Sequence, residues 1–123
     1  MSTLGDLRQS VADVASTATS IPGYSYAPGR LIVPSIVVMP GSPYMENGMQ
    51  YGSFTARFSV EVIMGTAANQ VTSSGLDDQI ENAITGFLDS GFLIESVSAP
   101  YALEANGQQY LAATIIVTNQ LRP

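Results

Sequence analysis

Few side chains in this sequence could carry out bond-making chemistry. The chain has no histidine, cysteine or lysine. Their absence removes Ser-His and Cys-His nucleophile pairs, zinc sites built from these ligands, Schiff-base lysines and the phosphate-binding P-loop. The sequence therefore predicts a protein that is not an enzyme and that uses no cofactor.

Carboxylates are the remaining candidates for chemistry. Asp77, Asp78 and Glu81 cluster at the start of a predicted helix. One interpretation is a site for Mg²⁺ or Ca²⁺, because these ions prefer oxygen ligands. The other is that the acids stabilise the positive end of the helix dipole. No further acidic ligand flanks the cluster, so we favour the dipole interpretation and predict no metal site.

Arg57 is one of four arginines in a chain with ten acidic residues. It lies on the polar side of a predicted strand, four residues before Glu61. The two side chains could form one exposed ion pair. Alternatively, Arg57 could hold a carboxylate on a partner protein. We favour the surface ion pair and keep Arg57 as a candidate interface residue.

Residues 40–52 form a predicted loop that is rich in proline and glycine. The loop also carries two tyrosines and two methionines, which are enriched at protein interfaces. These large side chains either fold back onto the sheet edge or contact another protein. We favour the contact, because four large apolar side chains within thirteen residues are costly to leave exposed to water. The predicted interface residues of the loop are Tyr44, Met45, Met49 and Tyr51.

The segment 53–64 predicts the central strand, because apolar and polar residues alternate along it. Apolar residues at steps of three and four predict a helix at 4–18 and a second one at 76–88. Residues 65–75 are predicted as a linker, with Ser74 as the cap of the second helix and Asp77 three residues later. Gly86 inside that helix suggests a close approach to the sheet.

Two further strand regions complete the predicted sheet. Residues 31–39 form a strand that is either an edge or bulged, because Pro34 cannot donate a hydrogen bond to a ladder. Asn106-Gly107 predicts a tight hairpin between 92–104 and 108–119. A two-residue turn there pairs Leu103 with Tyr110, Tyr101 with Ala112, and Val97 with Ile116.

The last strand, 108–119, is apolar on both faces. In a strand with one solvent-exposed face, apolar and polar residues should alternate instead. The strand is therefore central with both sides covered, or a second subunit covers one side, or a β-bulge shifts its register.

Length and order of elements predict one domain spanning residues 1–123. The predicted fold class is α+β, a single antiparallel (or mixed) sheet of about four strands with two helices packed on one face.

The net charge of −6 disfavours binding to nucleic acid or to an anionic membrane. Only 11% of residues are charged, which suggests that part of the surface faces other subunits. No signal peptide is visible in the first ten residues.

The order of these elements resembles a known family. The chain begins with a short helix, followed by the strand LIVPSIVVMP and a polar loop. It continues with the strand ARFSVEVIM, the helix GLDDQIENAITGFLDSG and the hairpin VSAPYALEANGQQYLAATIIVT. This order resembles the tail terminators, or tail completion proteins, of long-tailed bacteriophages. The likeness covers nearly the whole chain and rests on pattern and spacing.

The resemblance implies a structural protein of the virion tail or neck, made in the host cytoplasm. It implies a homo-oligomer, a hexameric ring that caps the tail tube protein and joins the tube to a head-tail connector or head-closure protein. DNA would pass through an acidic lumen without specific binding. The alternatives are another neck or tail-tube subunit, such as a head-closure protein, and a small-ligand-binding α+β domain.

Overall fold

A computed structural model describes residues 3–26, 33–48, 52–65, 70–105 and 107–121. These residues form two helices and a mixed sheet of six strands, so the predicted α+β class is confirmed. The elements in chain order are α1 (Thr3–Thr19), β1 (Gly23–Tyr24), β2 (Ser35–Asn47), β3 (Phe54–Ile63), α2 (Gln70–Asp89), β4 (Leu93–Val97), β5 (Tyr101–Ala105) and β6 (Gln108–Leu121).

The sheet has the strand order β1-β2-β3-β6-β4, and β5 pairs with β6 alongside β4. All neighbours are antiparallel except β1 and β2, which makes the sheet mixed. Six strands replace the predicted four or so for two reasons. The two-residue β1 is too short to give a periodic signal. The predicted strand 92–104 is two strands, because residues 98–100 leave the ladder between them.

The centre of the sheet is β3, which lies between β2 and β6. Its even-numbered residues from Ala56 to Val62 are fully buried, whereas Arg57, Ser59 and Glu61 between them are only partly buried. This alternation confirms the predicted central strand. It also defines two faces: the helix-covered face, which carries Phe58, and the helix-free face, which carries Arg57.

Both helices pack against the sheet, as predicted. α1 lies next to β1 and β2, whereas α2 lies next to β3, β6 and β4, and the two helices touch each other. Their buried side chains form one core with the sheet, which includes Val11 and Ala15 of α1, Leu76, Ala83 and Phe87 of α2, and Phe58, Val60 and Ile115 of the sheet.

The second helix begins earlier than predicted. α2 starts at Gln70, so Ser74 lies inside the helix and does not cap it. Asp77, Asp78 and Glu81 therefore lie beyond the first turn, which contains no acid, and the dipole explanation for them is wrong. Serine, threonine and glycine cost at most about 1 kcal/mol each in a helix. Packing of the later apolar residues outweighs that cost.

A close approach at Gly86 is present, but its partner is α1 and not the sheet. A Cβ added to Gly86 would lie 2.5 Å from the Cβ of Ala18. The pattern of one helix cannot reveal such a contact, because it depends on where the other helix lies.

The predicted loop 40–52 is largely strand. β2 continues to Asn47 and pairs with β3 again at Met45, after a register shift between Pro40 and Met45. β2 begins at Ser35, so Pro34 precedes the strand. The prolines are tolerated because the outer edge of this part of β2 has no strand partner within the described chain, so the missing N–H groups break no second ladder.

The hairpin register is confirmed where the turn sets it. Leu103 is opposite Tyr110, and Tyr101 is opposite Ala112. Gly107 has a φ of 74°, which suits the predicted turn, whereas Asn106 lies outside the described residues. The third predicted pair is wrong by one residue, because Val97 is opposite Ile115 after the interruption at 98–100.

The last strand is central in the sheet, but the described helices cover only one of its two faces, so cover of the other face by a second subunit stays a prediction. β6 lies between β3 on one side and β4 and β5 on the other. The register shift in this region lies in β4, between Ile94 and Ser96, and not in β6.

Candidate functional site

The helix-free face is crossed by continuous rows of side chains from four strands. One row joins Met39 of β2, Ser59 of β3, Ile116 of β6 and Ser96 of β4. No described helix contributes to the small hydrophobic cluster on this face, which is built from strands and from Val33. The face thus mixes apolar and polar groups.

Arg57 joins three strands on this face. Its Nε and Nη2 each lie 2.8 Å from Oε2 of Glu95, and its Nη1 lies 2.7 Å from Oε1 of Glu46. Nη1 also donates to the carbonyl oxygen of Pro43 at 3.0 Å. The hydrogen bonds to Glu95 and then to Glu46 raise the pKa of Arg57, against the opposite effect of burial.

These contacts correct the predicted pair between Arg57 and Glu61. The guanidinium binds carboxylates from β2, which is next to β3, and from β4, which lies beyond β6, and only 12% of the Arg57 side chain is exposed. Arg57 therefore holds the two sides of the sheet together within one chain. Its assignment as an interface residue stays a prediction.

Glu61 has a different partner. The hydroxyl of Tyr101 donates to Oε2 of Glu61 at 2.5 Å, which links β5 to β3 across β6. The Tyr101 hydroxyl also lies 2.8 Å from the Thr114 hydroxyl, which must donate because the phenol proton is already used. Burial, followed by the hydrogen bond to Glu61, raises the pKa of Tyr101 to about 12.

The predicted interface residues of segment 40–52 are not brought together with Arg57. Tyr44 packs edge-on against Phe58 of the helix-covered core, with ring centroids 5.8 Å apart. Met45 is partly buried opposite Ala56. Met49 and Tyr51 lie outside the described residues. Tyr44 thus folds back onto the sheet, and the interface role of these four residues stays a prediction.

Exposed large apolar side chains occur at the two ends of the sheet, which the sequence patterns did not single out. Leu93 and Val97 of β4 are 64% and 37% exposed, and Leu88 near the end of α2 is 55% exposed. At the other end, Tyr26 follows β1 and is 66% exposed, and Met39 of β2 is 40% exposed. Large exposed apolar groups are a signal of protein contact when they cluster.

We name these two ends by their edge strands. The β4 flank comprises β4 and the side of α2 that carries Leu88. The β1 flank comprises β1, the outer edge of β2 and the side of α1 that faces β1. At each flank, backbone groups of the last strand lack a strand partner within the described chain.

The acidic cluster on α2 and the groove between the helices are the remaining places where polar side chains gather. Asp77, Asp78 and Glu81 are all exposed, and no group of three or more metal-ligating side chains is found within the described ranges. An open groove of about 330 Å³ lies between α1 and α2, with Asp13 and Asp89 among its lining residues. Two carboxylates at an open groove do not define a site.

No helix in the described part of the chain is long and apolar enough to cross a membrane. Comparison with models of known protein families finds no matching family, and comparison with curated proteins finds no matching relative.

Proposed function

We propose that this protein is a structural subunit of a phage virion, a tail terminator that forms a ring on the end of the tail tube. In this role it acts by assembly and not by catalysis. The order of its elements resembles that family over nearly the whole chain. The ring joins the tube to the head-side connector.

One observation carries the proposal: the sheet is open at both ends, and its exposed large apolar side chains lie at those ends. An open strand edge invites pairing with another chain, so a protein must cover it or block it. A closed ring covers both flanks of every subunit, because each contact joins one flank to the other. A two-fold dimer through a single flank leaves the other flank exposed.

The charge distribution supports passage of DNA through the ring without binding. The helices carry several exposed carboxylates within the described chain, among them those of Asp6, Asp13, Asp78 and Asp89. Acidic groups repel phosphates, so DNA meets no basic patch on the helices that would hold it. Six copies are expected from the resemblance to tail terminators.

A second candidate is another ring-forming subunit of the neck or tube, such as a head-closure protein. The same open flanks support it, because these proteins also work as closed rings. Binding partners separate the two: a terminator binds the end of a tube, whereas a head-closure protein binds the connector.

The test is binding to uncapped tubes assembled from the tail tube protein of the same phage. We expect the protein to sediment with the tubes. The amount of bound protein should depend on the number of tube ends and not on tube length. Shearing the tubes, which raises the number of ends at constant mass, should raise the bound amount. Binding in proportion to tube mass would instead identify a tube-wall subunit. No binding to tubes together with binding to the connector would identify a head-closure protein.

A further inference from the structure

We propose that copies of this chain associate head to tail, with the β4 flank of one copy docked on the β1 flank of the next. The occupant of each flank is thus a second copy of the same chain. This inference rests on the proposed function and deepens it by naming the surfaces that close the ring.

The directions of the strands favour this arrangement. β2 is antiparallel to β3, β3 to β6, and β6 to β4, so β4 runs opposite to β2. Two copies placed side by side in the same orientation therefore bring β4 of one next to β2 of the other as antiparallel neighbours. Antiparallel pairing is the slightly more stable ladder.

The edges have backbone groups free for this pairing. β1 covers β2 only at Ile36 and Val37, so the edge from Val38 to Asn47 has no strand partner within the described ranges. On the opposite side of the molecule, β4 has β6 as its single partner within those ranges. An added strand would satisfy the free groups of both edges, except at Pro40 and Pro43, which have no N–H to donate.

The apolar side chains of the two flanks are in place to meet. Leu93 shares a row with Thr118 and Arg57, which puts its side chain on the helix-free face. Met39 lies on the same face, in the row of Ser59. A sheet continued from one copy to the next brings these two side chains to the same face. All five exposed large apolar residues of the described chain lie on one flank or the other: Leu88, Leu93 and Val97, or Tyr26 and Met39.

The flanks also differ in charge. Asp77 and Glu81 fall with Leu88 within a sector of about 40° on α2, roughly opposite Gly86, which contacts α1. Both acids are exposed, and the two ion pairs of the described chain belong to Arg57 and involve neither of them. The β4 flank is therefore acidic.

The β1 flank offers a cation. Arg8 lies one and two helical turns before Ala12 and Ser16 on the same side of α1. A Cβ added to Gly23 of β1 would lie 2.6 Å from the Ala12 carbonyl oxygen and 3.2 Å from the Ser16 Cβ, so this side faces β1. The Nε of Arg8 is buried and has no hydrogen-bond partner among the described residues. An acidic flank from the next copy complements it.

The chain has no cysteine, so introduced thiols report contacts directly. Same-face side chains on neighbouring strands lie about 5–8 Å apart, within reach of a short bismaleimide. We would make Met39→Cys, Leu93→Cys and the double variant, and cross-link each both free in solution and with tail tubes. A second double variant, Met39→Cys with Ser96→Cys, samples another exposed position on the same face of β4. Met39→Cys with Thr17→Cys is the control, because Thr17 is exposed in the groove between α1 and α2, which belongs to neither flank.

Head-to-tail association predicts a ladder of cross-linked oligomers for at least one flank-to-flank double variant, and no ladder for the Thr17 control. It predicts that mixing the two single variants gives dimers, although neither single variant gives dimers alone. Dimers from Leu93→Cys alone would show a two-fold contact between β4 strands and overturn the inference. Absence of ladders from both double variants, free and with tubes, would overturn it as well.

These outcomes separate the inference from the proposed function. Ladders in solution without binding to tube ends would leave the head-to-tail contact standing and refute the tail-terminator role. Capped tubes without flank-to-flank cross-links would keep the role and refute the contact.

Discussion

Arg57→Met is the substitution that tests how the sheet is held together. Methionine keeps an apolar stem of similar length and removes every hydrogen-bond donor of the guanidinium. The variant loses contacts to Glu95 and Glu46 at 2.7–2.8 Å and the bond to the Pro43 carbonyl at 3.0 Å. The wild-type arginine thus connects β3 with β2 on one side and, across β6, with β4 on the other.

The expected loss of stability is about 2 kcal/mol. Hydrogen bonds to charged groups contribute about 1.5–3 kcal/mol when buried, whereas exposed ion pairs contribute about 0–1 kcal/mol. Arg57 is mostly buried, but Glu46 and Glu95 are 49% and 47% exposed and regain water in the variant. The expected loss of stability therefore lies between the values for a buried hydrogen bond and for an exposed ion pair.

Urea denaturation followed by circular dichroism measures this change. For a chain of this length about 2 kcal/mol corresponds to a fall in Tm of roughly 8 °C. Arg57→Lys is the matched control: it keeps the charge but cannot bind both carboxylates with a planar fork, so it should recover less than half of the loss. A loss below about 0.5 kcal/mol for Arg57→Met would refute the bridging role.

Four further predictions concern other parts of the chain. The raised pKa of Tyr101 means that the stability contributed by its neutral phenol is complete below pH 10 and is lost as pH rises from 10 towards 12. Because the ring is partly exposed, we expect a loss of about 1 kcal/mol over this window in denaturation midpoints, and Tyr101→Phe should flatten it. Gly107→Val should cost more than about 1 kcal/mol in urea melts, because the φ of 74° strains a β-branched residue, whereas Gly107→Asn should cost much less. Gly86→Ala should lower the free energy of unfolding by about 1–3 kcal/mol, because the added Cβ would overlap the Ala18 side chain, even though alanine is the better helix former. A stabilised variant would show that the helices separate easily. Asp77→Asn with Asp78→Asn should leave Tm nearly unchanged, because both acids are exposed beyond the first turn of α2; a Ca²⁺- or Mg²⁺-dependent rise in the parent Tm that the double variant loses would contradict this.

The features predictable from sequence are those set by neighbours along the chain. The alternation in β3 follows from its position between two strands with one face covered. The pairing of Leu103 with Tyr110 follows from the adjoining turn at Gly107, and a tight turn fixes the register of the strands it joins. Both predictions depend on residues that are only a few positions apart in the sequence.

The features missed depend on residues far apart in sequence. Arg57 finds Glu95 across 38 residues, and a rule for i,i+4 pairs cannot foresee that contact. The extension of β2 to Asn47 requires Phe54 as a partner in β3, whereas local proline and glycine content indicates a loop. Exposure of Leu88 and Leu93 likewise depends on their position at the end of the sheet. Their apolar character alone would have predicted a buried position.

The central claim is that this chain works as a ring on the end of a tail tube. Negative-stain electron microscopy of tubes mixed with the purified protein, with class averages of the tube ends, tests it most directly. We expect a ring of six copies at one end of each tube, and bare ends when the protein carries Leu93→Asp on the β4 flank. Tube ends that stay bare with the parent protein, while it remains a monomer in native mass spectrometry, would contradict the account.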